Sequence, residues 1–547
     1  MSDEPTGSTI ARSSAIMAAG TIVSRLLGFA KAVLLAAVIG VTGSVAADAF
    51  GLANSLPNTI YVLIAGGALN AILVPQLVRA GVHQASEAGS DGATYVNRLL
   101  TVAMTLLLGV TILAVVIAPA LVFAFAGTSL DRYPGAFALA VTFAYWCLPQ
   151  IFFYGLYTLL GEVLNARGHF GPFMWAPVVN NIVSIAGLVA FLVIWGPMLG
   201  AEHPATSWDA GRIALLAGSA TLGVVAQALI LFVAWRYTGL KYRPDFHFRG
   251  VGLRSVGKAA GWTFAMLVVM QLGGVVSTQV LFTASGVGAS VAATQTAWLV
   301  FMLPHSIAAV SITTAYFTRM SRHASAGDLG AVREDVNSAG RIIGLVNVIA
   351  TAGLMVCALP FSRVFEDDPG RAWTLAEVLL AYMPGLIGFS LLFVFQRAFF
   401  SMEDTRTPFL LTTGYIVVFS AGSLACLLLP EALIGVGIAA VTSIANTLHA
   451  VAAGVVLSRR IGSLGAVSLL AAHGRFILAA IPATVVGLAV LAWLGGFGLD
   501  GFVTAGRFEA IVTMAVVGVA MLAVYLVALR LLRAGELRDL LGAVTKR

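Results

Sequence analysis

Along this chain, apolar stretches of about 20 residues or more alternate with short polar links, and each stretch can cross roughly 30 Å of hydrocarbon as a helix. Reading the runs and their breaks predicts about fourteen spans, near 14–40, 47–78, 98–126, 136–163, 172–196, 212–236, 256–284, 288–317, 341–366, 376–401, 408–430, 433–458, 473–496 and 507–533. The short alternating segments of a membrane β-barrel are missing. The expected fold class is therefore an all-α polytopic membrane protein, whose backbone polar groups are satisfied within each span.

The pattern repeats. CLPQIFFYGLYTLLGEVLNARGHFGP (147–172) resembles YMPGLIGFSLLFVFQRAFFSMEDTRTP (382–408). Each runs from a proline near the start of a helix, Pro149 or Pro384, through a polar hairpin to a proline opening the next, Pro172 or Pro408. These copies lie about 235 residues apart, and the LPN and LPH stretches at 56–58 and 303–305 lie about 247 apart. Two nearly equal offsets predict two six-helix lobes in the same orientation, 14–240 and 250–460. The segment 470–535 is then an appended helix pair, with tails at 1–13 and 536–547. Chance likeness between apolar helices is the competing explanation.

Composition removes the soluble classes. Hydrophobic residues are 59% of the chain and charged ones 10%, with mean hydropathy +0.96, whereas soluble domains are roughly a quarter charged. The polar opening MSDEPTGSTIARSS lacks the basic start and small-residue cleavage site of a signal peptide, so the first apolar stretch is expected to remain as a helix. Cys147, Cys357 and Cys426 all fall in apolar segments and read as small hydrophobes.

Charge then sets orientation. With the N-terminus cytoplasmic, about 24 of the 31 Lys and Arg residues lie on that side, and only Arg132, Arg212, Arg363, Arg371 and Arg507 on the other. The positive-inside rule predicts a bacterial inner-membrane protein with both termini cytoplasmic. A net charge of +7 fits attraction to anionic membrane lipids and calls for no nucleic-acid partner.

Charges inside spans are costly and mark candidate sites. Arg25 lies near the centre of the first span, too deep for easy snorkelling. Lys31 is six residues on, about 120° from the same face, and Gly28 between them allows a bend toward one cavity. An interhelical lock to Asp48 or to carbonyls is the plain alternative for Arg25, as snorkelling is for Lys31. Asp48 opens the second span, where an N-terminal carboxylate also favours the helix dipole. Ser24 and Asn58 are the polar neighbours in these stretches. Glu162, Asn165 and Arg167 mark one hairpin, and Glu403, Asp404 and Arg406 the equivalent one, either as solvated charges or as a gate. Two buried cations suit phosphate, which a guanidinium grips with two parallel hydrogen bonds. Spans 7 and 8 carry no matching cation, only Gln271, Ser277, Thr278, Gln279, Gln295 and Thr296.

Taken together, TIVSRLLGFAKAVLLAAVIG, ADAFGLANSLPN, GGALNAILVPQL, LNARGHFGPFMWAPVVNN and SMEDTRTP resemble the signature stretches of the MurJ/MviN family in the MOP exporter superfamily, over about 450 residues. That resemblance implies fourteen helices, two lobes around a central cavity, and a C-terminal pair forming a groove for a polyprenyl tail. The substrate it implies is lipid II, undecaprenyl pyrophosphate bearing a disaccharide pentapeptide, with possible partners in the cell-wall or division machinery. The family's SR-x-LGF-x-R arginines fall on Arg25 and Lys31, and its aspartate on Asp48. Two further cavity arginines fall on Tyr61 and Leu299, a departure that the AGGALN pattern (65–70) links to actinobacterial relatives. The sodium site of some relatives uses acids in spans 7 and 12, and these spans carry none. No cofactor is expected; coupling to membrane potential or to a monovalent cation is the candidate drive.

Two rivals make other demands. Another MOP exporter, for drugs or lipid-linked oligosaccharides, calls in the drug case for a buried acid. A membrane enzyme acting on lipid-linked sugars calls for clustered acids or histidines, and the eight histidines here are scattered with no P-loop.

Overall fold

The computed structural model describes residues 7–65, 91–167, 169–200, 203–236, 242–246, 258–498 and 501–537. Among these residues every regular element is helical. Twelve continuous or gently broken helices are long and apolar enough to span a membrane, and a bent pair makes thirteen. The second expected span is seen as Val45–Ile64, and its continuation past 65, with the GGALNAILVPQL stretch, lies outside the described residues.

The chain divides into two units: Met1–Gly40 with Ser44–Val268, and Val41–Gly43 with Val269–Arg547. In the first unit the helices are α1 (Gly7–Ile39), α2 (Val45–Ile64), α3 (Asp91–Val116), α4 (Ala118–Ala126), α5 (Ala136–Cys147), α6 (Gln150–Ala166), α7 (Phe170–Trp195), α8 (Ala210–Leu229) and α9 (Leu231–Trp235). Helix α10 (Lys258–Phe282) carries the boundary. The second unit continues with α11 (Val291–Pro304), α12 (Ser311–Ser325), α13 (Leu329–Val356), α14 (Ala358–Phe365), α15 (Pro369–Tyr382), α16 (Gly385–Ser401), α17 (Arg406–Ala425), α18 (Ile434–Ile461), α19 (Ala466–Trp493), α20 (Phe502–Ala505) and α21 (Arg507–Leu531).

The breaks have local causes. Pro149 and Pro384 lack an N–H to donate back and crowd the preceding turn, so α5 stops before α6, and α15 before α16 with a 43° bend. Both second halves are 17 residues long. Side-chain caps fix four starts: Ser44, Asp209, Asp328 and Asp368 accept from the N–H groups of Ala47, Arg212, Ala331 and Arg371, each contributing about 1 kcal/mol. Helix α13 begins twelve residues before the expected 341 because the Asp328 cap lets it start in polar sequence.

In the first unit, Leu99, Leu107, Leu160, Leu164 and Leu231 form a buried core, while α1 and α8 both pack on α7. In the second, α19 and α21 pack on each other and on α13 around Phe476, Met521 and Tyr525, whose hydroxyl donates to Leu345 O at 2.9 Å. Each end of this appended pair is fastened. At one end the buried Arg363 guanidinium donates to the carbonyls of Glu366, Asp367 and Thr504; at the other, Arg341 and Arg475 meet the buried Glu536 at 3.6 and 3.3 Å.

Candidate functional site

Helix α1 carries the charged candidates of the first unit. Within its segment Ala19–Ile39 the charged residues are Arg25 and Lys31. Arg25 is exposed, between the exposed Ile22 and Leu26. At Ser24 the helix is held by α7: Asn181 Nδ2 donates to Ser24 O at 2.8 Å and approaches Ser24 Oγ at 3.4 Å. Gly28 faces the same asparagine, which a Cβ there would meet at 3.7 Å, an ordinary van der Waals contact.

Two turns further, Lys31 enters a cavity inside the first unit that it lines with Asn54, Gln150, Tyr154, Asn180, Ser184 and Ser219. The cavity measures about 70 Å³, room for a few waters. Its walls carry two hydrogen-bonded groups, one around Gln150 and one around Asn180. Gln150 Nε2 donates to Thr221 Oγ1 at 2.9 Å, Tyr154 OH to Gln150 Oε1 at 3.2 Å, and Asn180 Nδ2 to Gln227 Oε1 at 2.7 Å. Gly223 makes room for the second group, since a Cβ there would lie 2.5 Å from Asn180 Oδ1. No Asp or Glu is among the described lining residues, so the side chains around the ammonium are neutral. Arg25 does not line this cavity; the two cations occupy different surroundings on one helix.

Asp48 is buried in the first turn of α2, beyond the Ser44 cap. Asn58 follows Pro57 on the same helix and is exposed. Tyr61, where the family resemblance places one of its further cavity arginines, shares a 2.6 Å hydrogen bond with Thr158 and lies 5.9 Å from the Tyr154 ring. Helix α2 is thereby tied to α6 by neutral groups.

The two hairpins differ. Glu162 is half-buried near the end of α6, Asn165 Oδ1 is buried with no hydrogen-bond partner among the described residues, and Arg167 closes the helix. In the second unit Glu403 is exposed in a left-handed conformation (φ 58°). Asp404 accepts from the Thr407 N–H at 3.0 Å and pairs with Arg460 at the end of α18, while Arg406 opens α17. Arg397, at the thirteenth position of α16 as Glu162 is of α6, sits over the rings of Phe317 and Phe393 at 5.3 and 5.1 Å.

Several polar groups escaped the sequence reading. Asp335, 2% exposed, receives Arg319 at 2.8 Å and His323 at 3.1 Å in the polar start of α13 that sequence reading assigned to a link. Glu366, also buried, accepts from the Val41 and Thr42 N–H groups at 3.0 and 2.6 Å, inside the second unit. Its burial raises the carboxyl pKa, against the lowering pull of those N–H bonds. The signal that marks both is an acid beside an apolar run with a helix cap nearby. Among the described residues no three of His, Cys, Asp and Glu gather as metal donors.

Comparison with known proteins bears on this arrangement. The family model described as "Lipid II flippase MurJ" matches residues 35–505. A "Probable lipid II flippase MurJ" of Rhizobium meliloti (strain 1021) is 28% identical over 449 residues, covering 80% of this chain and 78% of the relative. "Lipid II flippase MurJ" of Burkholderia cenocepacia is 26% identical over 408 residues, covering 73% and 74%. Among solved structures, "Lipid II flippase MurJ, inward closed conformation" has a TM-score of 0.70 at 20% identity, covering 96% of this chain and 99% of the other. An inward-facing multidrug resistance MATE family transporter of the MOP superfamily has a TM-score of 0.63 at 16% identity, covering 81% and 95%. At such identities the structural likeness establishes the fold.

Proposed function

The chain belongs to the lipid II flippase MurJ family, and from that membership we propose that it carries undecaprenyl-pyrophosphate-linked disaccharide pentapeptide from the inner to the outer leaflet of the cytoplasmic membrane. It is a multi-pass membrane transporter and not an enzyme. The observation that carries the substrate's charge is the acid-free surroundings of Lys31, with Arg25 on the same helix. A cation exporter would need the opposite sign.

The mechanism we propose is alternating access. In the inward-open state the pyrophosphate meets Arg25, whose guanidinium can donate two parallel hydrogen bonds, and Lys31 supplies a second positive charge. Ser24 and Asn58 supply hydrogen bonds, and Asp48 orients the start of α2. The polyprenyl tail stays in lipid along the C-terminal pair, as the membrane-facing residues of α19 and α21 suit. The hairpins of Glu162, Asn165 and Arg167 and of Glu403, Asp404 and Arg406 act as the gate on the side that the basic residues assign to the cytoplasm, where both termini lie. Membrane potential, worth about 2.3 kcal/mol per charge per 100 mV, favours inward return of the emptied cationic site. A monovalent cation is the other candidate drive. Docking to cell-wall or division machinery is a further expectation of this reading, since that machinery consumes the flipped precursor.

The test is leaflet-resolved. Cells depleted of the protein should accumulate lipid II on the cytoplasmic side, and wild-type protein should reverse this while Arg25→Ala should not. Proteoliposomes that flip at one rate whatever potential is imposed would refute the electrical drive. An active Arg25→Ala protein would return the chain to a wider class of exporters.

A further inference from the structure

The appended helix pair has a polar cavity of its own, far in sequence from the α1 site. It lies in the second unit between the first three turns of α13 and the turn joining α18 to α19, and measures about 560 Å³. Arg333, Asn337 and Arg341 line it at i, i+4 and i+8, one stripe along α13. Opposite them stand Ser463 and Ser468. A hydrogen bond and two glycines shape the turn: Asn337 Nδ2 donates to Leu464 O at 2.7 Å, and Gly462 and Gly465 have positive φ of 81° and 63°. A side chain at Gly465 would strain the backbone and press on Asn337 Nδ2 at 2.9 Å.

The charges do not cancel inside this cavity. Among the described residues Arg333 has neither an ion-pair nor a hydrogen-bond partner. Arg341 and Arg475 share the single carboxylate of Glu536, which leaves one positive charge over, and Arg341 Nε is buried without a partner. Glu334 stands on the exposed rim. Helix α19 begins at the same turn with no side chain capping its N–H groups, so its positive end adds to the field. Immediately past the turn, Val467 and Leu470 are 82% and 70% exposed. This places an exposed apolar strip beside a cationic hollow.

We propose that this cavity is a binding site for the phosphodiester headgroup of an anionic glycerophospholipid, whose acyl chains lie along Val467 and Leu470. Arg333 and Arg341 donate to the phosphate oxygens, and Ser463 and Ser468 donate from the other wall. A cationic pocket between helices, on the side where the basic residues cluster, fits such a headgroup. The site needs only the membrane-spanning fold, so it stands whether or not Arg25 proves essential. Occupancy would fasten the α18–α19 turn to α13, and so hold the C-terminal pair in register with the rest of its unit.

The experiment is lipid retention by the full-length protein, purified from mixed vesicles of phosphatidylglycerol and phosphatidylcholine and read by mass spectrometry of the bound lipid. Wild-type protein should retain phosphatidylglycerol in preference. Arg333→Gln should weaken this preference about fivefold, the effect of roughly 1 kcal/mol for one basic residue near a membrane surface. Ser468→Asp, which suits the first turn of α19 but repels an anion, should weaken it at least as much with the thermal midpoint of the delipidated protein unchanged. Arg530→Gln, an exposed charge on α21, should leave it intact. Inorganic phosphate at equal phosphorus concentration should not displace the lipid; displacement would assign the cavity to free phosphate and overturn the proposal. Unchanged retention in Arg333→Gln and Ser468→Asp would overturn it equally.

Discussion

The two units share a backbone device and fill it with opposite chemistry. In each, a proline breaks a spanning helix and a 17-residue second half follows, α6 in one and α16 in the other. In the first unit, residues near that break face a polar cavity lined by Lys31: Gln150 is hydrogen-bonded to Tyr154 and Thr221. In the second, the corresponding turn of α16 is aromatic. Phe389 meets Trp298 at 5.5 Å and Phe301 at 5.5 Å, and beside it Ser390 hydrogen-bonds His305 at 3.0 Å where the helix widens into a π turn. Near their far ends the helices carry Glu162 and Arg397, opposite in sign. The same helix break thus borders a polar, lysine-bearing cavity in one unit and packed rings in the other, and the proposed charge recognition falls to the first.

That division can be broken by substitution. The largest effect is expected from Arg25→Ala, which removes the proposed phosphate grip at roughly 1.5–3 kcal/mol and should abolish complementation of a depletion strain, while Arg25→Lys retains part of it. Next comes Lys31→Gln, which keeps the cavity polar but uncharged. Flipping in proteoliposomes should fall roughly tenfold, since about 1.4 kcal/mol is a factor of ten, and Lys31→Arg should restore some of it. Gly223→Ala tests the cavity wall itself. The added methyl meets Asn180 and Ser184 within 3 Å, so stability should drop by about 1–3 kcal/mol in thermal unfolding, with flipping reduced alongside. In the second unit, Trp298→Ala should cost roughly 2 kcal/mol of stability through lost ring packing and leave the preference for an anionic substrate unchanged. A change of substrate sign from that variant would end the comparison.

The smallest effect concerns pH. Because burial holds the Glu366 carboxyl above its ordinary pKa, its contribution to stability is complete below the ordinary glutamate value and declines as pH rises through the raised one. Glu366→Gln should therefore flatten the fall in melting temperature between acidic and neutral pH. An unaltered slope would mean that the carboxylate is not what titrates.

Much of this architecture was legible in the alternation of apolar runs and polar links, because the membrane fixes helix length and forbids other spanning backbones. Pro149 and Pro384 announced the helix breaks, each for the same local reason. What escaped depends on partners distant in sequence. Nothing near Lys31 in the chain foretells that Gln150, Asn180 and Ser219 surround it while Arg25, on the same helix, lies outside that cavity. Asp335 and Glu536 were hidden because each gains its meaning from arginines on other elements: Arg319 on α12 for one, Arg341 and Arg475 for the other. The family resemblance, carried by short motifs in order, supplied the substrate class that periodicity alone could not.

The central claim is that a cationic first unit selects an anionic lipid-linked headgroup. The most direct measurement is the rate at which purified protein in proteoliposomes exposes lipid II to an externally added, membrane-impermeant headgroup-modifying enzyme, compared for wild type and Arg25→Ala/Lys31→Gln. The account predicts rapid exposure by wild type and only the protein-free rate with the double variant. Equal exposure by both proteins would contradict it.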